Sequence, residues 1–237
     1  MRRSLAYVKM LTMDLGQRIE FHSHTVFSDG LLLPAALVRE AEMLGHLALG
    51  IADHVDQSNV EEVVKALVRF ERETRGKLAL KFLPGAEVSY VIPPEIAKYC
   101  RQAKKYGAKF VIVHGQSPVE PVYPGTNHAA VSAKGLVDIL AHPGMISEED
   151  VRLAAANGVY LELSAKKGHR DGNRHVAALA KKCGAKLLVN TDAHTERDLI
   201  DQEQAWKIAQ EAGLNEAEAL VAVRDNALEL LKRIERR

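Results

Sequence analysis

One pattern constrains the fold of this chain more than any other. A short apolar run is followed by a longer amphipathic stretch, and the order repeats seven times. Residues 18–22 (RIEFH), 46–52 (HLALGIA), 81–88, 109–114 (KFVIVH), 136–142 (LVDILAH), 159–163 and 186–191 (KLLVNT) read as strands. Residues 34–45, 58–76, 94–107, 147–158 and 174–184 read as helices, with a short one at 127–135. Two more helices, 202–213 and 215–234, close the chain. The punctuation agrees: Pro34 opens a helix and Gly45 ends it, the expected asymmetry. Ser147 is a good N-cap before the acidic turn Glu148, Glu149, Asp150, which complements the helix dipole. Val60, Val63, Leu67 and Phe70 share one helix face.

Regular βα alternation argues for a parallel sheet. Seven units without a linker, repeat or low-complexity segment suggest a closed or nearly closed α/β barrel; the alternative is an open doubly wound sheet. The 237 residues fit a single domain, 1–237, since barrels of about 200–250 residues are common as one unit. With 47% hydrophobic residues there is ample core material. Net charge is +1 and pI 7.8, which gives no global pull toward nucleic acid or membrane. Cys100 and Cys183 belong to no C-x-x-C pair, so reduced thiols and a cytoplasmic location are expected. The N-terminus opens with arginines, as a signal peptide does. Lys9 and Asp14 interrupt its apolar stretch, and no cleavage site follows. No apolar run is long enough to span a membrane.

The polar residues fall in one place on this map. His22 and His24 end the first strand, Asp53 and His54 the second, Glu87 the third, His114 the fourth, His142 the fifth, and Asp192 with His194 the seventh. In a parallel barrel those ends converge on one mouth, where active sites are built. A single buried histidine commonly does no more than satisfy backbone groups, but histidines and carboxylates at six strand ends together need another explanation. His22 and His24, like Asp192 and His194, are spaced i and i+2, which puts both side chains on one face of an extended segment. Imidazole plus carboxylate suits zinc, manganese or iron. One ion needs three or four protein ligands. His22, His24, Asp29, His54, Glu87, His114, His142, Asp192 and His194 exceed that, so two to three divalent ions are expected. Asp53 should point away from His54 and orient a neighbour.

The motifs HSHTVFSDG (22–30), ADH (52–54), GAEVS (85–89), VHG (113–115), AHPG (141–144) and TDAH (191–194) resemble those of the PHP (polymerase and histidinol phosphatase) superfamily, in family order. The length and the GTN segment at 125–127 are similar to the small stand-alone, YcdX-like phosphatases of that family. The resemblance implies a distorted (β/α)7 TIM-like barrel and a trinuclear centre. His22, His24, Glu87 and Asp192 would hold one ion. Glu87 would bridge to a second with His114 and His142, and Asp29, His54 and His194 would hold the third. Some relatives carry His where this chain has Asp29, and a carboxylate there favours manganese or iron over zinc.

The implied activity is a metal-dependent phosphatase: a metal-bridging hydroxide would attack a small phosphomonoester, histidinol phosphate or a nucleotide among the candidates. Asp192 and His194 are the catalytic candidates. Arg170, with Lys166 and Lys167 nearby, is the expected phosphate anchor and Arg197 the second choice, because a guanidinium matches phosphate bidentately. His169, His128 and His175 are read as ordinary histidines, and His46 as capping a helix end. A nuclease of short nucleic acids and a metal-dependent amidohydrolase are the alternatives, as is a binding module without activity. Long nucleic acid and membrane are not expected partners, and the oligomeric state is open.

Overall fold

The computed structural model describes residues 14–237; most of the N-terminal segment considered for targeting lies outside them. The strands are β1 (Ile19–Glu20), β2 (Ala48–Ile51), β3 (His54–Val55), β4 (Lys81–Val88), β5 (Phe110–His114), β6 (Ile139–Ala141), β7 (Tyr160–Ser164) and β8 (Leu187–Asn190). Every pairing is parallel, in the order β1-β2-β4-β5-β6-β7-β8, and the short β3 extends the β2 line along β4. Helices α1 (Pro34–Met43), α2 (Val60–Thr74), α3 (Ile96–Tyr106), α4 (Thr126–Ser132), α5 (Glu148–Asn157) and α6 (Asn173–Cys183) alternate with them. After β8 come α7 (Gln202–Glu211), α8 (Glu216–Leu220) and α9 (Asn226–Glu235). This is the nearly closed α/β barrel that the alternation implies. No helix among the described residues is long and apolar enough to cross a membrane.

The strand period sorts the core into two shells. On β5, Phe110 and Ile112 belong to the inner cluster, while Val111 and Val113 pack outward under the helices. On β8, Leu188 lies inside and Leu187 and Val189 outside. The same alternation turns Glu87, between Ala86 and Val88, to the interior, and Glu162 likewise between Leu161 and Leu163. From α9, Leu230, Leu231 and Ile234 join the inner cluster, so the last helix closes that end of the barrel.

The barrel closes at a seam where side chains replace most of a backbone ladder. Beyond β1 and β8, among the described residues only Ser23 and Ala193 form a bridge, with His24 N donating to Ala193 O at 2.8 Å. Below it, Arg18 donates to Val189 O at 2.7 Å and pairs with Glu20 at 2.6 Å. The other Glu20 oxygen accepts from His22 N and Thr191 N. Phe21 and His22 both turn inward, so the strand alternation slips there, and Glu20 takes up the amide that the slip frees. The expected strand over 18–22 is therefore only two residues of regular sheet.

The expected helix over 215–234 is interrupted by a π-turn at Val221–Asp225. The buried Gln202 amide donates to Val223 O at 3.1 Å, and an inserted side chain is an ordinary cause of such a break. At α5 the Ser147 side chain accepts from Asp150 N as the sequence suggests. Cys100 and Cys183 are both free thiols.

The seam generates a stability prediction. Glu20→Ala leaves the buried Arg18 guanidinium without its carboxylate, which should cost about 3–5 kcal/mol. Replacing both by apolar residues should recover only part of that, because Val189 O, His22 N and Thr191 N then lose their partners. Urea unfolding measures it; a loss under about 1 kcal/mol for Glu20→Ala would show that the pair does not hold the seam.

Candidate metal centre

The nine residues expected as ligands come together at the C-terminal mouth of the barrel. Glu87, fully buried on β4, is the hub. One of its oxygens lies 2.9 Å from His54 Nδ1, 3.3 Å from His22 Nε2 and 3.5 Å from His24 Nε2. The other lies 3.3 Å from His114 Nδ1 and 3.9 Å from His142 Nε2. Asp192 is a second hub, 3.0 Å from His24 Nε2 and 3.6 Å from His22 Nε2. Asp29 reaches in from the turn after His24, 3.1 Å from His194 Nε2 and 3.5 Å from His54 Nε2.

Local backbone features put these side chains in place. Asp53 turns toward the loop and accepts from Thr25 N at 2.6 Å, Thr25 Oγ1 at 2.7 Å and Ser28 Oγ at 2.7 Å. It thereby pins the loop that carries Asp29. Gly30 is required there, since a Cβ would sit 2.4 Å from His24 O. His142 and Asp192 take positive φ, 25° and 51°. That costs about 1–2 kcal/mol per residue for non-glycine backbone, and such strain clusters at functional sites. At His142, the turn brings in a side chain that strict alternation from Ala141 would send outward.

The electrostatics are set by burial and by the close mixing of histidines with carboxylates. Burial opposes charge on His22, yet Glu162, Glu87 and Asp192 together raise it well above the usual imidazole range. Burial likewise opposes, and carboxylates outweigh it, at His54, raised to about 10, and at His114, raised to about 9. Burial and the neighbouring His54 lower His24 to about 4. Glu87 is held well below the carboxylate range, its desolvation outweighed by His22, His54 and His114. Among the described residues, fifteen buried side-chain nitrogen and oxygen atoms make no well-aligned hydrogen bond, and ten belong to His22, His24, Glu87, His114, Glu120 and His142. Buried polar atoms are normally satisfied, and an ion is one standard explanation where they are not. The donor set is imidazole and carboxylate, which suits zinc, manganese or iron. Groups of three or four donors within reach of one another are His22–His24–Asp192, His54–Glu87–His114 and His24–Asp29–His54–His194. His22–Glu87–His142 and His114–Glu120–His142 are two more.

Several members of the site carry no local motif. Glu162 Oε2 lies 2.7 Å from His22 Nδ1. An ionised carboxylate there keeps the proton on Nδ1 and leaves Nε2 to face Glu87 and Asp192. Only the strand alternation of β7 hints at it. Glu120, in the loop after β5, sits 2.6 Å from His114 Nε2, and no sequence signal marks it. His169 is not an ordinary surface histidine: it is buried, stacks on His142 at 4.2 Å and meets Ser117 Oγ at 2.6 Å. Lys166 Nζ lies 3.1 Å from both Asp192 Oδ2 and His194 Nδ1. Arg170 instead faces Glu211 at 3.4 Å, and Arg197 is 90% exposed. His46 caps the end of α1 through its backbone N–H, which donates to Ala41 O at 3.0 Å, while its ring reaches Ile200 O across the fold. His128 and His175 bond to Asp150 and Ile146 O away from the mouth.

Comparison with known proteins adds independent findings. The PHP domain family model matches residues 20–211. Uncharacterized protein MJ1295 of Methanocaldococcus jannaschii is 42% identical over 224 residues, 92% of this chain and 100% of that one. A probable phosphatase of Thermoanaerobacter sp. is 35% identical over 91 residues, 34% of this chain and 37% of that protein. A chain of archaeal ribonuclease P with mature tRNA superposes with a TM-score of 0.66 at 17% identity, covering 91% of this chain and 89% of that one. Histidinol phosphate phosphatase of Lactococcus lactis, solved with zinc, L-histidinol and phosphate, gives 0.59 at 16% identity over 84% and 94%. At such identities these structures speak to the fold alone.

Glu162 yields the prediction here. Removing a carboxylate that orients a ligating histidine typically weakens metal affinity about 10–100-fold. Glu162→Ala should do so in a competition titration against a chromogenic chelator. Unchanged affinity would mean that His22 needs no such support, or is no ligand.

Proposed function

The chain belongs to the PHP domain family, and from that premise we propose that it is a metal-dependent phosphoesterase which hydrolyses phosphomonoesters of small molecules. The observation that carries the reading is the set of unpartnered buried imidazole and carboxylate atoms gathered around Glu87. The relatives agree in kind: one carries the name of a probable phosphatase, and one of similar fold was solved with zinc and phosphate.

His22, His24, Glu87 and Asp192 would hold one divalent ion, Glu87, His114 and His142 a second, and Asp29, His54 and His194 a third. Such ions supply Lewis acidity toward phosphoryl oxygens and lower the pKa of bound water toward 7. The chain's own groups do the rest. Glu162 fixes the His22 tautomer. Asp53 holds the loop that delivers Asp29. Lys166, held between Asp192 and His194, places an ammonium at the edge of the centre, where a phosphoryl oxygen gains from a positive partner. Asp192 and His194 therefore join the metal-holding set to the substrate side. Arg170 and Arg197 lie farther out and touch the substrate beyond its reacting phosphate.

Dialysis against a chelator should abolish hydrolysis of p-nitrophenyl phosphate, and manganese or zinc should restore it. Glu87→Ala should lower kcat/KM by about a thousandfold or more, since several kcal/mol of charge stabilisation are lost. Turnover that survives chelation undiminished would overturn the reading.

A further inference from the structure

A second feature opens beside the metal centre. A cleft of about 610 Å³ lies between the segment after β7, the segment after β8 and α7. Lys166, Lys167, Arg170, Arg197 and Lys207 line it, against only two carboxylates, Asp198 and Glu211. The whole chain carries a net charge of +1, so positive charge is concentrated here far above the average of the molecule.

The two carboxylates offset only part of the charge of the five cations, and neither is bound tightly to one of them. Asp198 already accepts from His194 N, Thr195 N and Thr195 Oγ1. Glu211 is 69% exposed and 3.4 Å from Arg170. Lys207 pairs with Glu203 one turn away along α7, and the nearest carboxylate to Arg197 is 3.8 Å off on its sequence neighbour Glu196. Lys167 has no carboxylate partner among the described residues. Exposed pairs of this kind are weak and readily exchanged for a better anion. Arginine offers a fork that fits phosphate or carboxylate, and the volume lies within the usual range for small-molecule sites. Lys166 lines the cleft and touches Asp192 and His194, so the cleft and the centre share a wall.

Resting on the phosphoesterase reading, we infer that this cleft binds a second anionic group, a phosphate or carboxylate, on the leaving portion of the substrate. The preferred substrates are then small phosphomonoesters with two anionic ends. The reacting phosphate sits at the centre under Lys166, and the distal anion sits among Lys167, Arg170, Arg197 and Lys207.

Non-hydrolysable phosphonates test this by isothermal titration calorimetry on the metal-loaded protein. Propylphosphonate and pentylphosphonate are compared with analogues that carry a terminal carboxylate or a second phosphonate. The two-anion ligands should bind about tenfold tighter or better. That preference should fall toward one in a Lys167→Glu/Lys207→Glu variant. Equal binding in the wild type, or a preference that persists in the variant, would overturn the assignment. So would a short RNA oligonucleotide that binds more tightly than the bisphosphonates and is lost in the same variant. Turnover of p-nitrophenyl phosphate is scored separately: its absence beside an intact binding preference overturns the phosphoesterase reading and leaves the cleft supported.

Discussion

The structure is organised around one buried carboxylate whose two oxygens are surrounded by imidazoles. Glu87 lies fully inside the barrel, and both of its oxygens face imidazoles. A desolvated carboxylate is costly unless positive charge surrounds it. Five histidines lie within 4 Å of it, and positive charge on His22, His54 and His114, each raised by its carboxylate neighbours, offsets part of that cost. Divalent ions supply positive charge better, because the same nitrogen and oxygen atoms can then act as donors to a shared cation. The site is thus poorly satisfied by itself and well matched to metal.

The barrel contributes order as well as a container. Strand alternation sends Glu87, His114 and Glu162 inward from β4, β5 and β7, with no special local geometry. Where alternation would fail, the chain departs from it. It slips by one residue between Phe21 and His22, and it takes left-handed backbone at His142 and Asp192. The seam between the first and last strands sits under these departures. Its Arg18–Glu20 pair takes over hydrogen bonding that a longer β1 would have supplied. Regularity is given up at the mouth, and buried ionic bonding below it keeps the closure.

Much of this was legible from residue order. The seven strand positions and the Ser147 cap follow from periodicity and helix-end chemistry, and β4 has the expected bounds. The gathering of nine candidate ligands follows from their place at strand ends, together with the motifs shared with PHP proteins. What stayed hidden depends on contacts distant in sequence. Glu162 looks like any polar residue of a strand until His22, 140 positions away, is seen against it. Glu120 lies in an irregular loop, where no period applies. His169 looks like a surface residue in a basic run, yet its ring is buried against His142. Arg170 was legible as a cation near the mouth, but not its turn toward Glu211, which moves it from the centre to the neighbouring cleft.

The account stands on the claim that the Glu87 cluster is a metal centre. Elemental analysis of the purified protein by inductively coupled plasma mass spectrometry, with and without Glu87→Ala, measures this directly. The account predicts about two to three divalent ions per chain in the wild type, and a marked loss in the variant. A folded wild-type protein that carries no divalent ion and takes up none when zinc, manganese or iron is added would contradict it.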